Sequence, residues 1–220
     1  METNRTVAPP PSNRRAPLRP DDGRLARGRR SRARIREASR ALFRESGFDG
    51  ATLRAIAARA GMGASSIYRH VQSKHELLIL ELADLQEEAW IRFREGDDRT
   101  TPTRERIRRF FDIQHEMLAA DRDLTVIALR ATTYPDARVA RRVLALYDRT
   151  MGLVAEILQG GRGRDLASNI DVLAAARAIF HVANGARISW ANQLVSEEGC
   201  REAIAASVNL LFCGIGGDGG

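Results

Sequence analysis

The sequence predicts an all-α fold in two unequal parts. Three observations predict it. Apolar residues recur at helical spacing in almost every segment. No stretch longer than a few residues alternates with period two, the mark of a half-buried strand. Glycines and prolines punctuate the apolar segments where helices should stop and restart. With 220 residues, 44% hydrophobic and 29% charged, the composition is that of a soluble globular protein with one large or two small cores.

The elements follow in order. Residues 1–25 are rich in Pro, Arg and small polar residues and are expected to form a flexible basic arm. No apolar run follows the basic N-terminus, as a secretory signal would require. Arg27, Arg29, Arg30, Arg32 and Arg34 lead into a helix with the stripe Ile35, Ala38, Leu42 and Phe43, ending at Gly47. Thr52 caps a short second helix that buries Leu53, Ile56, Ala57 and Ala60. Gly61-Met62-Gly63 turns the chain, the glycines taking the left-handed backbone and Met62 tucking beneath the corner. A third helix over Ala64–Val71 buries Ile67 and Val71. Ser73 and Glu76 then form the S-x-x-E capping pattern of a long helix from Lys74 to about Arg94. Thr101-Pro102 restarts a helix to about Ala120, with Pro in its first position. Leu124 to about Ala131 and Ala137 to about Leu158 come next, the latter closed by Gly160-Gly161-Arg162-Gly163. Ser168 is the expected cap of the next helix, and a last one runs from about Glu198 to Cys213. The GIGGDGG ending, residues 214–220, reads as a disordered tail.

Residues 52–78 are the most informative about function. Two short helices around a glycine corner, the second with small residues at its leading end, form a helix-turn-helix. Ala64, Ser65 and Ser66 let the backbone approach base edges, and Tyr68, Arg69 and His70 add donors and acceptors for bases and phosphates.

These residues resemble the TetR-type transcriptional regulators. The likeness rests on the basic helix RARIREASRALFRESGF, then T-x-x-x-I-A-x-x-A-G, then S-x-x-I-Y-R-H-V-x-S-K-x-x-L-L, and covers roughly residues 31–78. The resemblance implies that Tyr68, Thr52 and Lys74 contact phosphate, and that Ala64, Ser65, Ser66, Arg69 and His70 face the major groove. Val71 departs from the aromatic residue often found at its position, an apolar exchange that alters packing without abolishing the fold.

Charge supports this reading independently. Residues 1–77 hold 17 Lys and Arg against 7 Asp and Glu, whereas residues 78–220 hold 18 against 21. A basic excess confined to one end is the footprint of a polyanion-binding domain, although charge alone fits a membrane surface or RNA as well as DNA. Lys74 is the only lysine in the chain, and an ammonium makes a good point contact to phosphate. Arg30 and Arg32 can reach the DNA backbone or a minor groove.

The remaining helices suggest a sensor. A ligand-binding and dimerisation domain is expected over 74–213, after a DNA-binding domain over 26–73. Trp90, Phe93, Phe110, Phe111, His115, Phe180, His181, Asn184 and Trp190 are the candidate lining of an apolar pocket for a small-molecule effector. Aromatics at helical spacing are equally ordinary core. Small residues at Ala183, Gly185, Ala186, Ala205, Ala206 and Ser207 predict a two-fold interface with a second copy, a homodimer that matches a palindromic operator in double-stranded DNA.

An enzyme is not expected. The four histidines show no i, i+4 pairing for a metal, and GRGR and GIGGDGG lack the strand-helix setting of a dinucleotide loop. Cys200 and Cys213 are too few for a zinc framework and suit a reducing cytoplasm. No catalytic residue, metal or cofactor is assigned. No apolar run approaches a membrane span. The reading is a cytoplasmic, sequence-specific repressor released by a largely hydrophobic ligand; the alternative is a non-specific nucleic-acid-binding protein without ligand control.

Overall fold

The computed structural model describes residues 20–215 other than 136 and 138. Those residues form nine helices: α1 (Pro20–Gly50), α2 (Leu53–Arg59), α3 (Ala64–Ile67), α4 (Lys74–Glu95), α5 (Thr103–Ala119), α6 (Arg122–Thr133), α7 (Ala140–Gly161), α8 (Val172–Ala191) and α9 (Glu197–Ile215). No strand occurs among the described residues; Arg162 and Leu166 make one isolated bridge.

Most of the arm expected over 1–25 lies outside the described residues, as do positions 216–220 of the tail. Helix α1 begins at Pro20, so residues 20–25 belong to it. Its regular course breaks at Gly47, with φ of 69°. Gly61 also has positive φ, 64°, and makes the corner after α2. Gly63 does not: at φ −65° and ψ 144° it is ordinary extended backbone serving as the N-cap of α3. Only one of the two corner glycines therefore uses the left-handed conformation.

Three boundaries differ from expectation for local reasons. α3 spans only Ala64–Ile67; beyond it the bonds Arg69 N to Ser66 O and His70 N to Ile67 O tighten into i→i+3 turns. Pro102 stands one place earlier than expected, as the N-cap of α5 rather than its first residue. Ser168 does not cap α8, because Asp171 accepts bonds from Leu173 N and Ala174 N at 3.1 and 3.0 Å. The Ser168 carbonyl instead accepts from Arg162 Nε at 2.6 Å.

One apolar core runs through both parts of the chain. Ile35, Ile56, Ile67 and Val71 join Leu77 and Leu78 of α4, and the same cluster continues through Phe93, Phe110, Leu153 and Trp190 to Phe212. Charge reinforces that join. Arg36 and Arg40 of α1 pair with Asp84 and Glu81 of α4, and Arg44 pairs with Asp121 at the start of α6. No helix of the described residues is long and apolar enough to cross a membrane.

Candidate DNA-reading face and ligand cavity

The helix-turn-helix has the inside and outside that its pattern dictates. Ile56, Ala57, Ala60, Ile67 and Val71 are buried, and Met62 packs against them from the corner. Thr52 caps α2 by accepting from Ala55 N at 3.1 Å, which leaves its hydroxyl proton to donate elsewhere. Ala64, Ser65, Tyr68 and Arg69 are exposed, and Tyr68 keeps 59% of its surface open. Ser66 is half-buried and accepts from Arg69 Nη2 at 3.1 Å, a local bond that holds the arginine against α3. His70 turns away from this set. It is half-buried and lines a groove with Arg29, Arg32, Arg36, Ile35 and Leu77 between α1 and α4. Arg30 is exposed on α1.

Lys74 has a role that sequence reasoning missed. Its ammonium donates to the carbonyls of Phe48 at 2.7 Å, Asp49 at 3.2 Å and Ala51 at 3.4 Å, and lies 4.5 Å from the centre of the Phe48 ring. Those carbonyls follow the break at Gly47, where helical partners run out. Lys74 thus closes the end of α1 while opening α4. Ser73 accepts from Glu76 N at 3.1 Å, the capping role expected of it. Glu76, buried, accepts from Gln72 N at 2.7 Å and pairs with Arg142 of α7.

The second site is a narrow cleft inside the C-terminal part, with a cavity volume of about 40 Å³ and partly open to solvent, so that a ligand larger than a few atoms must part its walls to enter. Every helix from α4 to α8 contributes. Leu82, Leu85, Leu118, Leu129 and Leu146 supply the apolar wall, and Gln86, Gln114, Thr132, Thr150, Asn184 and Arg187 the polar groups. Of the nine residues anticipated, Phe180 and Asn184 line it. Trp90, Phe93, Phe110 and Phe111 pack instead on one another, with ring centroids 5.4–5.7 Å apart. His115 is buried edge-on to Trp190 at 5.0 Å, and His181 is exposed. Burial, with Arg187 and Arg201 nearby, pushes the His115 pKa down to about 4. Aromatic spacing reports burial, and burial against other aromatics satisfies it as well as a ligand does.

Apart from Asn184, the polar lining was the part overlooked. Arg187 follows Ile179 and Ala183 at four-residue intervals and precedes Trp190 by three, in the otherwise apolar buried stripe of α8. A lone arginine in such a stripe was the available signal.

Residues 35–80 match the family described as bacterial regulatory proteins, tetR family. Over that stretch the chain carries the DNA-binding region of the TetR family. That match spans the second half of α1, all of α2 and α3, and the opening of α4. The HTH-type transcriptional repressor KstR of Rhodococcus jostii is 28% identical over 191 residues, which cover 86% of this chain and 84% of that one. The solved structure of Thermus thermophilus FadR, a TetR-family repressor in complex with lauroyl-CoA, is similar with a TM-score of 0.64 and 24% identity, over 82% of this chain and 92% of that one. Bacillus subtilis FadR in complex with stearoyl-CoA gives 0.63 and 18%, over 83% and 98%. The two FadR structures share the helical architecture of this chain across both its parts.

Proposed function

We propose that this chain is a transcriptional repressor that grips a palindromic operator as a homodimer and lets go when a small, largely hydrophobic ligand enters the α4–α8 cavity. One observation carries the reading. Helix α4 lines the cavity with Leu82, Leu85 and Gln86 and, through Glu81 and Asp84 in the same turns, is ion-paired to α1 of the DNA-binding part. A ligand that favours one position of α4 then favours one placement of the reading head, which is the differential affinity that release requires.

The relatives are consistent with an acyl-type ligand, since FadR proteins of this architecture are named in complexes with lauroyl-CoA and stearoyl-CoA. Phe180 and Asn184 are our candidate contacts. The outer face of α8 and α9 supports the homodimer, because Val182 and Leu210 are exposed there beside the small residues Gly185, Ala203 and Ala206. Repression needs no recruiting surface, as a bound dimer obstructs a promoter by position. The site of action is the cytoplasm, where the DNA is, and catalysis forms no part of the role.

The test is anisotropy binding to DNA fragments tiling a candidate control region, with scrambled controls, at two salt concentrations. A regulator should prefer one palindromic fragment by about 4–10 kcal/mol over bulk DNA. Tyr68→Phe should weaken every fragment alike, and Arg69→Ala should erode the preference among fragments. Uniform, salt-labile binding to all fragments would replace this reading with a non-specific nucleic-acid-binding protein.

A further inference from the structure

Arg187 is buried, with 6% of its surface exposed, and lines the cavity wall. Its hydrogen-bond partners are both neutral: Gln114 Oε1 at 2.6 Å and the Phe111 carbonyl at 3.3 Å. The Phe111 ring centre lies 5.3 Å from the guanidinium carbon. Nε is buried and has no partner. No ion pair among the described residues includes Arg187. Burial lowers its pKa to about 10, which leaves it cationic at neutral pH.

A buried guanidinium without an anion is costly, and proteins normally pair it. Here a cation in no ion pair borders space whose wall includes five leucines, Tyr147 and Phe180 alongside neutral polar groups. A hydrophobic ligand alone would leave the guanidinium with no hydrogen-bonded anion, only the longer-range pull of the exposed Asp112. An amphipath with an acidic head would satisfy both surfaces, since a carboxylate matches the planar guanidinium in shape as well as charge.

We infer that the effector is an amphipathic carboxylic acid whose carboxylate pairs with Arg187 while its aliphatic tail lies along Leu82, Leu85, Leu118, Leu129 and Leu146. This rests on the ligand-release reading above and narrows it, because an ester or thioester offers only a neutral carbonyl at the same contact.

The experiment compares decanoate with methyl decanoate on the full-length protein, by calorimetry and by operator release in anisotropy. Wild type should bind decanoate about 10-fold or more tighter than the ester, the scale expected of a buried charge-assisted pair. Arg187→Met should remove that advantage, and Arg187→Lys should restore part of it. If Arg187→Met does not fold, the wild-type acid-to-ester ratio still decides. Equal binding of acid and ester, or binding of neither, overturns the inference. Release by decanoyl-CoA or the ester with no advantage for the acid would leave ligand release standing and remove the carboxylate. Arg187-dependent decanoate binding that leaves operator affinity unchanged would support the acid site and count against release.

Discussion

Lys74 ties the end of α1 to the start of α4 through one side chain. Its three carbonyl partners at the end of α1 are groups that a helix terminus leaves unsatisfied, and its positive charge complements the negative end of that helix. Lys74→Met should therefore cost about 1–3 kcal/mol in urea unfolding, the scale of charged hydrogen bonds lost, besides weakening DNA binding. Weaker DNA binding at unchanged stability would show the carbonyl contacts to be incidental. His115 offers a separate test through pH. Its imidazole is held neutral down to about pH 4 by burial first and by Arg187 and Arg201 next, with Cys200 Sγ 3.9 Å from Nδ1. The unfolded chain protonates the same group near pH 6.5. Between those values the unfolded state binds the extra proton, so stability falls as pH drops from 6.5 and levels off below about 4. The loss attributable to this group is at most about 3 kcal/mol. His115→Phe should flatten that part of the profile in urea titrations at pH 7, 6 and 5. Parallel profiles would assign the titration to other groups.

Among the elements, α4 is the one that the proposed function makes the carrier of coupling, since it touches both the cavity and α1. Glu81 is buried and pairs with Arg40, so Arg40→Met would strand a carboxylate at the join between α1 and α4. Removing one partner of a buried pair costs about 3–5 kcal/mol; Arg40 is itself partly exposed, so the lower end or less is expected here. Asp84→Asn acts on a more exposed pair and should alter stability by about 1 kcal/mol or less. If α4 transmits ligand occupancy, both variants should also reduce the change in operator affinity that ligand produces; full coupling in both would place transmission elsewhere. These pairs also mark what could be read in the chain and what could not. The stripe Ile56, Ala57, Ala60, Ile67, the corner at Gly61 and the Ser73 cap are local, set by helical period and by one residue's backbone, and they were legible. Arg40 with Glu81, or Gln114 with Arg187, joins residues tens of positions apart, and no local pattern specifies such a partner. The cluster of Trp90, Phe93, Phe110 and Phe111 shows the complementary limit, since burial was legible but the identity of the burying neighbour was not.

At the scale of the whole molecule, the proposed homodimer would join the basic excess of the first 77 residues to the exposed apolar face of α8 and α9 in one scheme. A single reading head covers a short stretch of groove and neutralises few phosphates. Two heads held by a common interface act together, the second binding at high effective concentration once the first is seated. The interface should depend on Leu210, 73% exposed on α9, because an exposed leucine in an apolar face contributes only when a partner covers it. Leu210→Asp should leave the monomer fold intact, since the side chain is solvated already, while placing a charge in the centre of the contact. Sedimentation velocity should then show dimer for wild type and monomer for the variant at the same concentration. Operator affinity provides the second readout through salt. Each phosphate contact contributes about −0.9 to the slope of log K against log salt concentration, so a dimer using two equivalent heads should show about twice the slope of the monomeric variant. A variant that becomes monomeric yet keeps the wild-type slope would mean that one head makes all the phosphate contacts, and the palindromic operator would have to be abandoned.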